Sequence, residues 1–460
     1  MKLIRNEKLR MRNVFILGLF IFAGFGVFAE TAGADFISLE QVRTLALINS
    51  RSLAKHNLAI QNSLLEERSR IYSNLPSLSL GASASMGLWD VRTAAPVNPF
   101  DTFSSGMNIR VSQRIFEGGK TLIQKAINQI ATESARKDAL AEYFNVLDTA
   151  DSAYYAVLEA AAALEADEAS LRTAEATLSI AQIRQAGGMI SQSDYLRALA
   201  DKEGRENSRN QSRRNLALNI TRLRAITGLN EIPALEQIDF GVYEQLIQRL
   251  GNITDKDADS LFEELWNLLA ASNPSLARAS LASQRAEKNL SMAKRNYSPT
   301  LSASFSTGFN FAPEDRAGMS GGSVSFSASI PVDVWVIANN VKRSSIARDS
   351  VALDYISTES YLETELYSAL ITALGQAGSI LSSGRSLEYA EKHFEFVMER
   401  YRLSQSSMSE LGDASSLLIT SRNNLIRAQY GFLRSLSKLR SMEAVDDEEK
   451  LMGILMGGEK

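Results

Sequence analysis

Apolar positions along this chain change period in a set order. Over residues 120–184 they recur at helical spacing, at Ile123, Ile127, Ile130, Phe144, Leu147, Tyr154, Val157, Ala161 and Leu164, which predicts one continuous helix. Gly187-Gly188 breaks it. A second helix is expected over 192–228, closing on Thr227-Gly228, a glycine stop signal. The second half of the chain repeats the pair near 340–404 and 410–443, with a break around Ser404–Ser409. No proline falls between Phe100 and Ile232 or between Val332 and Lys460, so nothing forces an interruption in either run. A helix of about 65 residues is roughly 100 Å long at 1.5 Å per residue. No globular core is that wide, so these helices are expected along bundle or coiled-coil seams, with alanines letting them approach closely.

Ahead of each long helix the period shortens to two. Leu78, Leu80, Ala82, Ala84, Met86 and Leu88 alternate with Ser79, Gly81, Ser83, Ser85 and Gly87. Ile109, Val111 and Ile115 alternate with Arg110, Ser112 and Arg114. In the second half, Leu301, Ala303, Phe305, Phe309 and Phe311 oppose Ser302, Ser304, Ser306, Gly308 and Asn310, and Val324, Phe326, Ala328 and Ile330 oppose Ser323, Ser325, Ser327 and Ser329. All four runs are near the length of a membrane-spanning strand, about 9–11 residues. Trp89, Phe309 and Phe311 sit near strand ends, where interfacial aromatics belong. Alternation alone also fits a soluble one-sided sheet. A polar face made almost wholly of Ser and Gly suits a water-filled lumen better than a soluble surface. Four strands cannot close in lipid, so a barrel requires several copies, and three would give twelve strands.

The chain is internally duplicated. With an offset of 223, residues 52–83 match their counterparts at ten positions, among them Ser52-Leu53-Ala54 with Ser275-Leu276-Ala277 and Pro76 with Pro299. The expected organisation is a first repeat over 36–229, a linker or equatorial region over 230–258, a second repeat over 259–443 and a flexible acidic tail over 444–460.

The N-terminus reads as a leader. Lys2, Arg5, Lys8, Arg10 and Arg12 precede an apolar run from Val14 to Phe28 and small residues at Ala29 and at Ala32-Gly33-Ala34. That is the layout of a signal peptide over 1–29, too short for a membrane span. Its removal would take away five of 49 basic and one of 53 acidic residues, leaving 44 against 52 and a net charge of −8. Cleavage after Ala34 is the other candidate.

Composition then narrows the function classes. A net charge of −4 argues against a nucleic-acid binder. With no cysteine and two histidines, His56 and His393, thiol chemistry is excluded and little remains for a metal site, a cofactor or His-based catalysis. No enzyme activity is expected.

Four strands in two hairpins, each followed by a helical hairpin of about 100 Å, twice over in an exported chain, resemble the TolC-type outer-membrane efflux proteins. Three motifs carry the resemblance. Ile115-Phe116-Glu117-Gly118-Gly119 is similar to the family's strand-to-helix turn, whereas Ile330-Pro331-Val332-Asp333-Val334 departs from it in the second half. Gly188 to Leu196 is similar to the first helix tip, and Ser407 to Asp413 to the second, with serine where glycine is usual. The resemblance implies a mostly α protein with transmembrane β. A homotrimer would close a 12-stranded barrel in outer-membrane lipid and an α-helical tunnel across the periplasm. It would be the exit duct of a tripartite efflux or type I secretion system, with a periplasmic adaptor (a membrane fusion protein) and an inner-membrane transporter as partners. Gly187, Gly188, Met189, Ile190, Ser191, Ser407, Met408 and Ser409 would contact the adaptor. Asp413 and Asp194 would be tunnel-gate carboxylates or, alternatively, helix N-caps, with Ser404 and Ser409 standing where the family's gate carries tyrosine and arginine. Arg110 and Arg114 would tune the lumen or sit at its rim. The competing class is an adaptor-like or structural coiled-coil protein of the periplasm without a membrane barrel.

Overall fold

The computed structural model describes residues 36–72, 74–86, 89–90, 95–96, 103–311, 318–444 and 448–457. The expected leader and the last two residues of the first expected strand, Gly87 and Leu88, lie outside these. The elements in chain order are β1 (Phe36–Ile37), α1 (Leu39–Asn49), α2 (Arg51–Tyr72), β2 (Ser77–Ser85), the two-residue strands β3 (Trp89–Asp90) and β4 (Ala95–Pro96), β5 (Ser104–Phe116), α3 (Lys120–Ala186), α4 (Gln192–Thr227), β6 (Ala234–Leu235), a 3-10 turn (Phe240–Tyr243), α5 (Glu244–Gly251), α6 (Asp255–Ser272), α7 (Pro274–Lys294), β7 (Thr300–Phe311), β8 (Gly318–Ser329), α8 (Val334–Arg402), α9 (Met408–Glu443) and α10 (Glu448–Leu455). The long helices fall where the 3.6-residue period put them, α3 with 67 residues and α8 with 69. The chain divides into two compact units. One takes the described residues up to Ala54, Leu140–Asn273 and those from Tyr361 on. The other takes Lys55–Ala139 and Pro274–Ser360.

The second of these units holds the sheet. Its order is β2-β5-β7-β8, antiparallel throughout, so the joint between the repeats is the β5–β7 pair. The register brings like residues together. Leu78 faces Val111, Val111 faces Phe305 and Phe305 faces Val324, forming one apolar row across four strands. The next row, on the opposite face, runs Ser79, Arg110, Ser306, Ser323. Serine hydroxyls pair across strands, Ser302 with Ser327 at 2.7 Å and Ser306 with Ser323 at 2.9 Å. Gly81 leaves room for Asn108, whose side-chain oxygen would lie 2.3 Å from a Cβ built there. Both faces and both edges of this sheet are open: Leu78, Leu80, Val324 and Phe326 are exposed, and β2 and β8 each pair on one side only among the described residues.

The first sheet-to-helix junction is a glycine turn. Gly118 and Gly119 have φ of 63° and 78°, a region that costs other residues about 1–2 kcal/mol. Gly118 is also closely covered, because a Cβ there would lie 2.2 Å from the Ser298 Cβ, while nothing lies within 4 Å of one at Gly119. Gly118→Ala is therefore expected to lower stability by about 2 kcal/mol or more, from strain and overlap together, and Gly119→Ala by about 1. Thermal midpoints in detergent check the order. Equal losses would mean that Ser298 yields freely.

In the other unit the core forms where α1, α3, α4 and α9 meet. Val42, Ala46, Ala150, Tyr154, Val157, Leu158, Leu223 and Leu433 are buried together, and the Tyr154 hydroxyl donates to the Glu236 carbonyl at 2.7 Å. One acid lies inside this stripe. Asp151 is fully buried and accepts from Arg43 at 2.7 and 2.9 Å, from Arg440 at 2.9 Å and from the Ser437 hydroxyl at 2.8 Å. Three distant stretches of chain are thereby tied to one carboxylate.

The boundary set at 258/259 falls inside α6, because Thr254 caps that helix through its hydroxyl, which accepts from the Asp257 N–H. The tail from 444, expected to be flexible from its Asp/Glu content, contains α10, whose Leu451 and Leu455 are buried one turn apart; α10 contacts α5 and α6. Ahead of it, Glu443 is fully buried and, among the described residues, neither carboxylate oxygen has a hydrogen-bond partner. Burial pushes this carboxyl up to about 8, against the pull of Lys450.

Candidate functional site

The two breaks in the long helices are built alike. α3 ends in a Schellman turn: the Met189 N–H donates to the Arg184 carbonyl at 2.8 Å and the Gly188 N–H to the Gln185 carbonyl at 2.9 Å, with Gly188 at φ 69°. α8 ends the same way: the Gln405 N–H donates to the Arg400 carbonyl at 2.7 Å and the Ser404 N–H to the Tyr401 carbonyl at 3.0 Å. Ser404, at φ 64°, takes the left-handed position that Gly188 fills in the first tip. The following helices also start alike. Ser191 accepts from the Asp194 N–H and Ser407 from the Glu410 N–H, both at 3.1 Å. The Ser191 hydroxyl donates to the Asp194 carboxylate at 2.7 Å.

The tips differ in how their arginines are used. Arg184, buried, reaches across to the second tip and donates through Nη2 to the carbonyls of Tyr401 and, at 2.9 Å, Arg402. Its guanidinium lies 4.6 Å from the centre of the Tyr401 ring. It thus satisfies the last carbonyls of α8, where a cation is favoured by the helix dipole. Arg400, at the matching place, stays local, donating to the Gln405 carbonyl at 2.8 Å and pairing with Glu410 at 3.3 Å. Around this clasp a small core of Ala181, Ala198, Val397, Tyr401, Met408, Leu411 and Ala414 is buried. A cavity of about 520 Å³ opens beside it, lined by Met189, Asp194, Ser406 and Ser407 among others. Burial pushes the Tyr401 phenol up; Arg184 opposes the shift and Asp194 adds to it.

The sequence-predicted residues distribute unevenly. Gly187, Gly188, Met189, Ser191, Ser407 and Ser409 are exposed at the tips and Ile190 is half-buried. Met408, expected at the adaptor contact, is the first residue of α9, turns into the tip core and is 4% exposed. Neither aspartate is an N-cap, since Ser191 and Ser407 hold those places. Asp194 is the acid three residues inside the cap, and Asp413 is exposed on α9 past the cap. Arg110 lies on the Ser/Gly face of the sheet between Ser79 and Ser306, while Arg114 is paired with Glu117 beside the glycine turn. Among the described residues no group of three or more His, Cys, Asp or Glu gathers to hold a metal ion. The sequence reading missed Arg184 and Asp151. The only local signal for Asp151 was an acid at an apolar phase of its helix, between Leu147 and Tyr154.

A small-residue sheet with an apolar opposite face, joined to two helical hairpins whose tips are clasped, defines the protomer of a membrane channel. The sequence profile of the outer membrane efflux proteins matches residues 42–229 and 265–443, one stretch per half of the chain, and this chain belongs to that family. No curated protein matches the sequence. Solved structures share the fold. The chain is similar to the CusC channel protein, with 16% identity, a TM-score of 0.74 and 91% of this chain and 95% of that one covered. It is similar to the CmeC outer membrane channel of Campylobacter jejuni (16%, 0.72, 91% and 89%) and to the outer membrane protein VceC of Vibrio cholerae (15%, 0.72, 88% and 96%). The protein is an outer-membrane efflux channel with a large periplasmic portion, and the reading without a membrane barrel does not stand.

Proposed function

We propose that this protein is the exit duct of a tripartite efflux or type I secretion system. It works as a homotrimer that receives substrate from an inner-membrane transporter through a periplasmic adaptor. The observation that carries the reading is the pair of like-built tips, held together by Arg184, with Met189 presented on one and Ser409 on the other. Loop turns that merely reverse a chain need no such cross-tie, and rigid turns held in a common frame suit docking on a partner's helical hairpin. Support for the trimer comes from the open edges of β2 and β8. Unpaired backbone is not tolerated in lipid, and joining β8 of one copy to β2 of the next in three copies closes twelve strands. Asp413, exposed near the second tip, would then form a ring of three carboxylates that favours cations, with Arg110 on the lumen face of the barrel.

The test places a photo-reactive amino acid at Met189 and at Ser409 in cells and identifies the adducts by mass spectrometry, alongside sizing in detergent. Adducts with a periplasmic adaptor and a trimer mass are expected. Adducts confined to copies of this chain would overturn the docking reading, and a monomer mass would overturn the barrel.

A further inference from the structure

The four long strands β2, β5, β7 and β8 carry two charged residues, Arg110 and Arg114, both on β5 and both on its polar face. They stand at different depths. Arg114 faces Ser302 beside the irregularity near the end of β5, and its guanidinium pairs with Glu117 at the glycine turn. Arg110 is the seventh of the thirteen residues of β5, and Ser306, opposite it, is the seventh of the twelve of β7. The chain neighbours of Arg110 belong to the apolar rows of the other face: Ile109 pairs with Leu80, and Val111 with Leu78 and Phe305. Arg110 therefore lies at the depth of the apolar band and not at its edge.

A guanidinium is not tolerated against acyl chains at that depth, so it belongs to water on the other side of the wall. Arg110 is exposed there, and among the described residues no carboxylate pairs with it. The hydroxyls of its row are committed elsewhere. That of Ser79 donates to the Arg110 carbonyl at 3.4 Å, and those of Ser306 and Ser323 bond each other at 2.9 Å. Along the same face Asn108, Ser112, Ser304 and Gly308 are uncharged. The donors of the guanidinium are left for water and for any anion that passes. This charge also runs against the net negative charge of the chain, so it is not one point of a generally basic surface. In a trimer it becomes three cations at one level with no acid among the strands to cancel their field, and rings of Arg or Lys favour anions in pores.

We propose that Arg110 is the specificity-determining residue of the barrel lumen, three guanidinium groups at mid-membrane drawing the carboxylate, sulfate or phosphate groups of departing solutes through the wall. It rests on the reading of the sheet as the wall of a trimeric barrel. Because the Asp413 carboxylates act with the opposite sign at the tips, a current through the whole duct mixes the two, and the test needs a local probe.

The chain has no cysteine, so Ser306→Cys places one thiol per protomer directly across from Arg110. The full-length protein in phospholipid vesicles is treated with a negatively charged (sulfonatoethyl) and a positively charged (trimethylammonioethyl) methanethiosulfonate, and the two labelling rates are compared. Adding Arg110→Ser is expected to lower the anionic-to-cationic rate ratio about three-fold or more at low salt and by less at 1 M, where charges are screened within about 3 Å. Arg110→Lys is expected to keep the ratio. Arg114→Ser, four residues or about 14 Å along the strand, is expected to leave it nearly unchanged. Phe305→Cys, on the outward face, reports on the wall and is expected to react far more slowly than Ser306→Cys. A ratio unmoved by Arg110→Ser, with the 305 thiol still protected, would overturn the anion filter and leave the barrel standing. A 305 thiol that reacts as fast as the 306 thiol would overturn the barrel reading itself.

Discussion

Asp151→Ala is expected to cost about 3–5 kcal/mol, the range for removing one partner of a buried ion pair, and to keep most of the protein from accumulating folded. Asp151 is fully buried, and the side chains of Arg43 and Arg440 that converge on it are 9% and 6% exposed. Without the carboxylate, Arg43 keeps Glu40 at the edge of the core, but its Nε and Nη2 and the Nη2 of Arg440 lose the charged acceptor they share. Asp151→Asn keeps the volume but not the charge, so it is expected to lose nearly as much. Replacing Asp151, Arg43 and Arg440 together by apolar residues of similar size is expected to recover most of the loss, because the penalty lies in the uncompensated charge. Thermal midpoints of the purified variants decide the matter. A mild Asp151→Ala effect would show that water reaches the cluster.

The second large effect is a dependence on pH. The Glu443 carboxyl titrates near 4.5 when free and is pushed up to about 8 by burial. Between those values the folded chain keeps a proton that the unfolded chain has released, so stability falls as pH rises through that window and levels off above it. At 1.36 kcal/mol per unit the full span is roughly 3–5 kcal/mol. Glu443→Gln, which holds the neutral shape at every pH, is expected to match the parent near pH 5 and exceed it increasingly up to pH 9. Unfolding midpoints across this range test it, and parallel curves for the two proteins would rule out Glu443 as the source.

Much of the fold was legible because two periods alternate cleanly. The even residues from Leu78 and from Val324 fall on one face, and β2, β5, β7 and β8 lie close to the expected runs. Helix extents were legible because proline is absent from both long stretches. What local pattern could not show was contact at long range. Arg184 and the carbonyl of Arg402 are 218 residues apart, and the neighbourhood of Arg184 reads as ordinary charged helix. The inward direction of Met408 depends on where α9 begins, which Ser407 sets by capping. The second tip's break was legible around Ser404–Ser409, but not which residue is left-handed there, because serine stands at Ser404 where glycine would have marked it. In the tail the acids suggest disorder, while Leu451 and Leu455 stand a helical turn apart, as they do in α10.

The β5–β7 joint has a consequence for how the protein is made. Val111 pairs with Phe305, roughly 190 residues later in the chain, so β5 must leave the export channel long before its partner exists. Until then the first repeat holds only a two-stranded hairpin, marginal by itself in water, with an apolar face and a free edge that invite pairing with the wrong strand. Closing a loop of that length is slow compared with local helix formation. The newly exported chain therefore passes through an interval with its helices formed and its sheet unfinished, and in that interval β5 is most open to pairing with the wrong strand.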